Sequence, residues 1–175
     1  MGVPQDLDWG FIIICADSNH INLENTINSI RSKYDNISIT CVYSEEIKDL
    51  NCKKTNINFV KSIANYAAMI NSGISEAVND WNIIFISGTY VRKNLTKKYS
   101  MFIENESDVL FPNDIRKSNF VDGTINGLCI HKDFYKKVGR FNESCEKLEH
   151  SKSEWGYTAV CYGAKFKAIC SVKSI

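Results

Sequence analysis

Two apolar runs without alternation constrain this chain most. Phe11–Cys15 (FIIIC) and Trp81–Ile86 (WNIIFI) are each of strand length. A strand that is apolar on both faces of its pleat belongs in a parallel sheet covered by helices on both sides. The polar turn Asp17-Ser18-Asn19-His20 follows the first run. Leu23, Ile27, Ile30 and Tyr34 then recur at helical spacing and predict a helix over about 22–34. Ile37–Tyr43 and Ile57–Val60 read as the second and third strands. Ser62 is a helix cap by type, and Ile63, Tyr66, Ala67, Ile70, Ile74 and Ala77 predict a helix over about 63–79. After Trp81–Ile86, a helix is expected around Leu95–Phe102, strands at Asp108–Phe111 and Ile125–Ile130, and a short helix at Phe134–Val138. A helix over Ser153–Tyr162 and a closing strand over Phe166–Val172 complete the pattern. Strand, helix, strand, strand, helix, strand is the grammar of an α/β domain. In such a sheet ligands bind beyond the carboxyl ends of the strands. That singles out the turns Ala16–His20, Tyr43–Glu46 and Ser87–Tyr90.

Composition narrows the function class. With 175 residues the chain is one domain's worth. Lys and Arg number 21 against 20 Asp and Glu, a formal net charge of +1. A dedicated nucleic-acid binder carries a basic excess, so no nucleic-acid partner is expected. The 7 Cys form no CxxC pair and are odd in number, which argues against a zinc site or a complete disulfide framework and for a reducing compartment, the cytoplasm. The start MGVPQDLDWG lacks the basic and apolar stretches of a signal peptide. The longest apolar run, Phe11–Ala16, is too short to span a bilayer, so no integral membrane segment is expected. Neither GxGxxG nor GxxxxGK[ST] occurs, so neither a standard dinucleotide fold nor a P-loop is supported.

Four blocks resemble the inverting family 2 glycosyltransferases. IIICADSNHINLENTINSI is similar to that family's opening strand, loop and helix, with Cys15 in place of its usual Pro and Ser18 in place of its usual Asn. INSGISEAVNDWNIIFISGTY resembles the stretch in which an Asn-x-Gly helix leads through an acidic-aromatic pair into the strand bearing Asp-x-Asp; Asn71, Gly73, Ala77, Asp80 and Trp81 carry the match. INGLCIHKDFYKKVGRFNES is similar to the acceptor-side segment, through Gly127, Lys132, Phe134, Val138, Gly139, Phe141, Asn142 and Glu143. SEWGYTAVCYGAKFKAI resembles the helix that begins with the acidic pair holding the catalytic base. The blocks run in order over nearly the whole chain. The resemblance implies one GT-A-like domain over residues 1–175, a three-layer α/β/α sandwich with a mostly parallel mixed sheet.

The departures from the family concern chemistry. Family members neutralise the diphosphate leaving group with Mg or Mn held by the Asp-x-Asp carboxylates. Here that turn reads Ser87-Gly88-Thr89, so the usual metal ligands are absent and no metal ligand is assigned. The acidic pair ending the second strand is replaced near Tyr43-Ser44, with Glu45 and Glu46 following. The position of the base matches Glu154, and a glutamate there can deprotonate an acceptor hydroxyl. Many family members continue past the strand that follows this helix; an end at Ile175 implies a minimal acceptor side.

The resemblance implies a nucleotide site of Ala16, Asp17, Ser18, Tyr43, Ser44, Glu45, Asn71, Ser87 and Thr89, and an acceptor side of Gly127, His131 and Trp155. Each has a plainer reading. Asp17 and Glu154 suit helix starts, Ser87 and Thr89 suit a turn, and Tyr43 and Trp155 suit a core. Two functions fit the pattern. One is an inverting transfer of sugar from a nucleotide-diphosphate sugar to a glycan or other acceptor. The other is a GT-A-like domain without transferase activity that binds a nucleotide, a glycan or a protein. A third reading, an unrelated α/β nucleotide-binding domain, predicts a sheet lacking the crossed, partly antiparallel hairpin that GT-A domains place after the metal-binding turn, here Ser87–Thr89. Donor, acceptor and oligomeric state are not legible.

Overall fold

A computed structural model describes residues 7–16, 20–45, 50, 52, 55–113 and 125–170, with the side chains of residues 20, 113 and 170 excepted. The elements in chain order are β1 (Trp9–Cys15), α1 (His20–Arg31), β2 (Ser38–Tyr43), β3 (Ile57–Lys61), α2 (Tyr66–Glu76), β4 (Trp81–Ile86), α3 (Leu95–Ser100), β5 (Asp108–Asn113), β6 (Leu128–His131), α4 (Lys132–Val138), α5 (Leu148–Cys161) and β7 (Lys165–Cys170). The seven strands form one sheet in the order β3-β2-β1-β4-β6-β5-β7.

The doubly apolar runs lie where their composition requires. β1 is flanked by β2 and β4, both parallel to it. Its alternate side chains feed two cores. Ile12 and Ile14 pack with α2, α4 and α5 on one face. Phe11, Ile13 and Cys15 pack with Leu23, Ile27 and Ile30 of α1 on the other, where Tyr99 of α3 joins them. The result is the expected three-layer arrangement. Cys15, Cys41 and Cys129 are buried as small hydrophobes, and all six described cysteines are free.

Direction changes at β6. It pairs antiparallel with β4, from Trp81↔His131 to Ile84↔Leu128, and antiparallel with β5. β5 and β7 are parallel to each other and so run with β4. The antiparallel strand after the Ser87–Thr89 turn is the feature an unrelated α/β domain was expected to lack. One sheet edge therefore collects the carboxyl ends of β1, β2, β3, β4, β5 and β7 and the start of β6.

Among the helices, the starts of α2 and α5 lie furthest from expectation. α2 is capped by Asn65, whose Oδ1 accepts from the Ala68 N–H at 3.1 Å, and Ser62 and Ile63 lie outside it. α5 begins at Leu148, five residues before Ser153, so Glu154 stands in its second turn and not at its start. Among the described residues no helix is long and apolar enough to cross a membrane.

Candidate functional site

The carboxyl edge is built from chain reversals that the sequence dictates. β1 gives way at Ala16, which is half-buried; Asp17 and Ser18 lie outside the described residues. β2 ends at Tyr43, whose carbonyl accepts from the Ser62 N–H at 2.8 Å, tying the ends of β2 and β3 together. Ser44 follows with its Oγ buried and, among the described residues, without a hydrogen-bond partner, and Glu45 is exposed. β4 ends in the turn Ile86–Thr89. The Thr89 N–H donates to the Ile86 carbonyl at 3.2 Å and Gly88 takes φ +91°, the third-position conformation of a type II turn. Glycine adopts it without strain.

That turn is anchored on three sides. The Ser87 N–H donates to Ile14 O at 2.9 Å, and the Gly88 N–H donates to Asn22 O at 3.1 Å and to Thr26 Oγ1 at 2.8 Å. Thr89 Oγ1 lies 2.6 Å from Ile86 O and 3.0 Å from Asn126 Oδ1, and the same Oδ1 accepts from the Ile86 N–H at 3.1 Å. The Thr89 hydroxyl is thus engaged within the fold, and the turn holds no carboxylate. Among the described residues no group of three or more His, Cys, Asp or Glu could hold a metal ion. The residues at this turn do not fit Mg or Mn, which prefer carboxylate oxygens.

Asn71 is a structural hub and not a nucleotide contact. It is fully buried. Its Nδ2 donates to Phe141 O at 2.8 Å and to Glu143 Oε1 at 2.7 Å. Its Oδ1 accepts from Tyr135 Oη–H at 2.6 Å and from the Phe141 N–H at 2.9 Å. Two donors and two lone pairs are all an amide offers, so none is left for a nucleotide. Two residues on, Gly73 lets α2 lie against β1: a Cβ there would meet Ile12 Cγ2 at 2.6 Å. The Asn-x-Gly pair is explained by packing of the acceptor-side segment and of the sheet. Glu143, hydrogen-bonded by Asn71 and by Arg140, is held below the usual glutamate range.

The acceptor-side residues separate. Gly127 stands at the carboxyl edge, with φ +94°; its N–H donates to Ile84 O at 2.6 Å and its carbonyl accepts from Tyr99 Oη–H at 2.7 Å. His131 does not join it. Because β6 runs antiparallel to β4, His131 lies opposite Trp81, at the start of β4 and the other edge of the sheet. Its ring meets Trp81 edge-on at 5.0 Å, and its Nδ1 caps α4 by accepting from the Asp133 N–H at 3.3 Å. Trp155 is buried rather than displayed as a platform: it stacks on Phe141 at 4.9 Å and donates Nε1–H to Gly139 O at 2.8 Å. Glu154, its neighbour, points outward and accepts from Asn142 Nδ2 at 2.7 Å.

Three residues escaped the sequence reading. Asn126 pins the β4 turn, and an Asn-Gly pair before a strand was the available signal. Ser151 and Lys152 are buried in α5. Extending the helix back through Leu148, which shares a stripe with Trp155 and Ala159, would have put them on its inner side.

Among solved structures, S. aureus TarS (residues 1–349) superposes with a TM-score of 0.67 at 14% identity over 93% of this chain. A mannosyltransferase from Pyrobaculum calidifontis, solved with GDP-Man and Mn2+, superposes with a TM-score of 0.70 at 8% identity over 98% of it. The bifunctional IspDF of Campylobacter jejuni gives 0.63 at 12% over 94%. The chain has the GT-A fold. This GT-A chain spans only 58%, 57% and 50% of those three proteins. No family model and no curated protein matches its sequence.

Proposed function

We propose that this chain binds a nucleotide-diphosphate sugar along the carboxyl edge of its sheet and transfers the sugar, with inversion, to an acceptor hydroxyl, as a divergent relative of the family 2 glycosyltransferases. One observation carries the reading. Ala16, Tyr43–Glu45 and Ser87–Thr89 meet at one edge of a GT-A sheet, the fold of structures solved with UDP-GlcNAc and with GDP-Man. Tyr43 offers a ring for a nucleobase, and Ser44 Oγ and the Ser87 hydroxyl offer hydrogen bonds to ribose or phosphate. Gly127 walls the acceptor side. Glu154 is the base: it is exposed, one of its oxygens is held by Asn142, and it borders the segment Gly139–Cys145. The free cysteines support a reducing compartment, the cytoplasm.

The absence of carboxylates from the Ser87–Thr89 turn favours a second reading, a domain that binds the nucleotide without transferring the sugar. Incubating the chain with UDP- and GDP-sugars, with water and a panel of glycans as acceptors, separates the two. Release of UDP or GDP, cut about tenfold or more by Glu154→Gln, is the expected result. Binding without release supports the second reading, and release untouched by Glu154→Gln removes Glu154 as base.

A further inference from the structure

Three consecutive residues, Phe141-Asn142-Glu143, are held from inside the fold. Asn71 bonds the carbonyl and the N–H of Phe141, at 2.8 and 2.9 Å, and donates to Glu143 Oε1 at 2.7 Å. Asn65, the cap of α2 at the carboxyl edge, donates Nδ2–H to Glu143 O at 3.2 Å. These bonds fix the backbone on either side of Asn142 and set it at that edge. α5 is registered against the same segment. The buried ring of Trp155 stacks on Phe141 at 4.9 Å, and on the outer side the next pair, Glu154 and Asn142, meets at 2.7 Å.

The Asn142 amide has one orientation open to it. Its Oδ1 accepts from the Ser144 N–H at 2.9 Å, so the end that faces Glu154 is Nδ2. Nδ2 can only donate, and the oxygen it reaches, Glu154 Oε2, accepts. Among the described residues Glu154 Oε1 carries no hydrogen bond. Both side chains are exposed, and a hydrogen bond between surface groups adds little to stability. What this bond does is remove the rotamer freedom of an exposed glutamate. It leaves one oxygen held and the other open.

We propose that Asn142 is the positioning residue of Glu154, holding Oε2 so that Oε1 is presented to the acceptor hydroxyl. The proposal rests on the reading of Glu154 as the base. In the step it serves, the hydroxyl proton passes to Oε1 and the hydroxyl oxygen bonds the anomeric carbon. The nucleoside diphosphate leaves with the electron pair of the bond that breaks. A base already in line needs no rotamer search, and misplacement by about 1 Å is costly to rate. The test is release of UDP and GDP from their sugars, with water and a panel of glycans as acceptors. It compares the unaltered chain, Asn142→Ala, Asn142→Ser, Glu154→Gln and the double variant Asn142→Ala/Glu154→Gln. Serine keeps an acceptor for the Ser144 N–H and is too short to hold Glu154, so it separates the turn from the positioning. Each Asn142 variant lowers kcat about tenfold with donor KM kept within about twofold. Asn142→Ala costs nothing further once Glu154 is Gln, because the two act as a unit. An unchanged kcat in either Asn142 variant, a loss confined to donor KM, or a loss of the same size in the Glu154→Gln background overturns this proposal and leaves the base in place. Release untouched by Glu154→Gln overturns the base and this proposal with it. Absence of release from the unaltered chain overturns the transfer reading, and the proposal falls with that too.

Discussion

Asn71 grips Phe141 from both ends of its amide: Nδ2 donates to the Phe141 carbonyl at 2.8 Å while Oδ1 accepts from the Phe141 N–H at 2.9 Å. The pair is separated by 70 residues and joins α2 to the segment that leads into α5. It fixes where α5 starts, and so where Ser151, Lys152 and Glu154 stand. Asn71→Ala leaves the Phe141 peptide groups and the Tyr135 hydroxyl without partners in the core. It should cost about 2–4 kcal/mol of stability, read as a lowered urea midpoint. Affinity of the folded fraction for the nucleosides uridine and guanosine, which the ends of β1 and β2 would hold, should be unchanged; a lost affinity with unchanged stability would return Asn71 to the nucleotide site.

Gly73→Ala sets two effects against each other. Alanine favours a helix over glycine by about 1 kcal/mol. Its Cβ, however, would sit 2.6 Å from Ile12 Cγ2 and 3.1 Å from Val42 Cγ2, both in the fully buried core under α2. Overpacking of that kind costs about 1–3 kcal/mol, so contact wins and the variant unfolds at lower urea. A more stable variant would mean that α2 can lift from β1.

Acid should weaken the same junction. Glu143 has a folded-state pKa below its unfolded one, first through the hydrogen bond from Asn71 and then through Arg140. A depressed carboxylate contributes stability above its unfolded pKa and loses it as pH falls through the folded value. Between the ordinary glutamate range and that lower value, the unaltered chain should lose stability with a steeper slope than Glu143→Gln. Asp133, depressed by its hydrogen bond with Lys136, titrates in the same direction. The substitution at Glu143 therefore flattens the slope without abolishing it. Equal slopes in urea denaturation across that window would show that the Asn71–Glu143 bond is not kept in solution.

The strands were legible because burial on both faces leaves its mark on composition. β4 was read as Trp81–Ile86 and is observed so, and β2 and β3 differ by a residue at one end. The direction of β6 was not legible, since an apolar strand reads alike either way, and direction alone moves His131 to the edge opposite Gly127. The start of α2 was misread because Ser62 and Asn65 are both cap residues by type, and only the bond from the Ala68 N–H chooses between them. α5 was read as too short because Ser151 and Lys152 interrupt its apolar stripe. At the candidate site the three turns were legible from where the strands stop. What Asn71 does was not, because its partners lie about 70 residues away in sequence.

The central claim is that the carboxyl edge of this sheet holds a nucleotide diphosphate. The most direct measurement is a titration of the 15N-labelled chain with UDP- and GDP-sugars in EDTA, followed by amide resonances. Saturable shifts should concentrate at Ala16, Tyr43–Glu45 and Ser87–Thr89, with His131 and Trp81 at the other edge unmoved. Shifts centred on His131 and Trp81, or none with any nucleotide sugar, would contradict it.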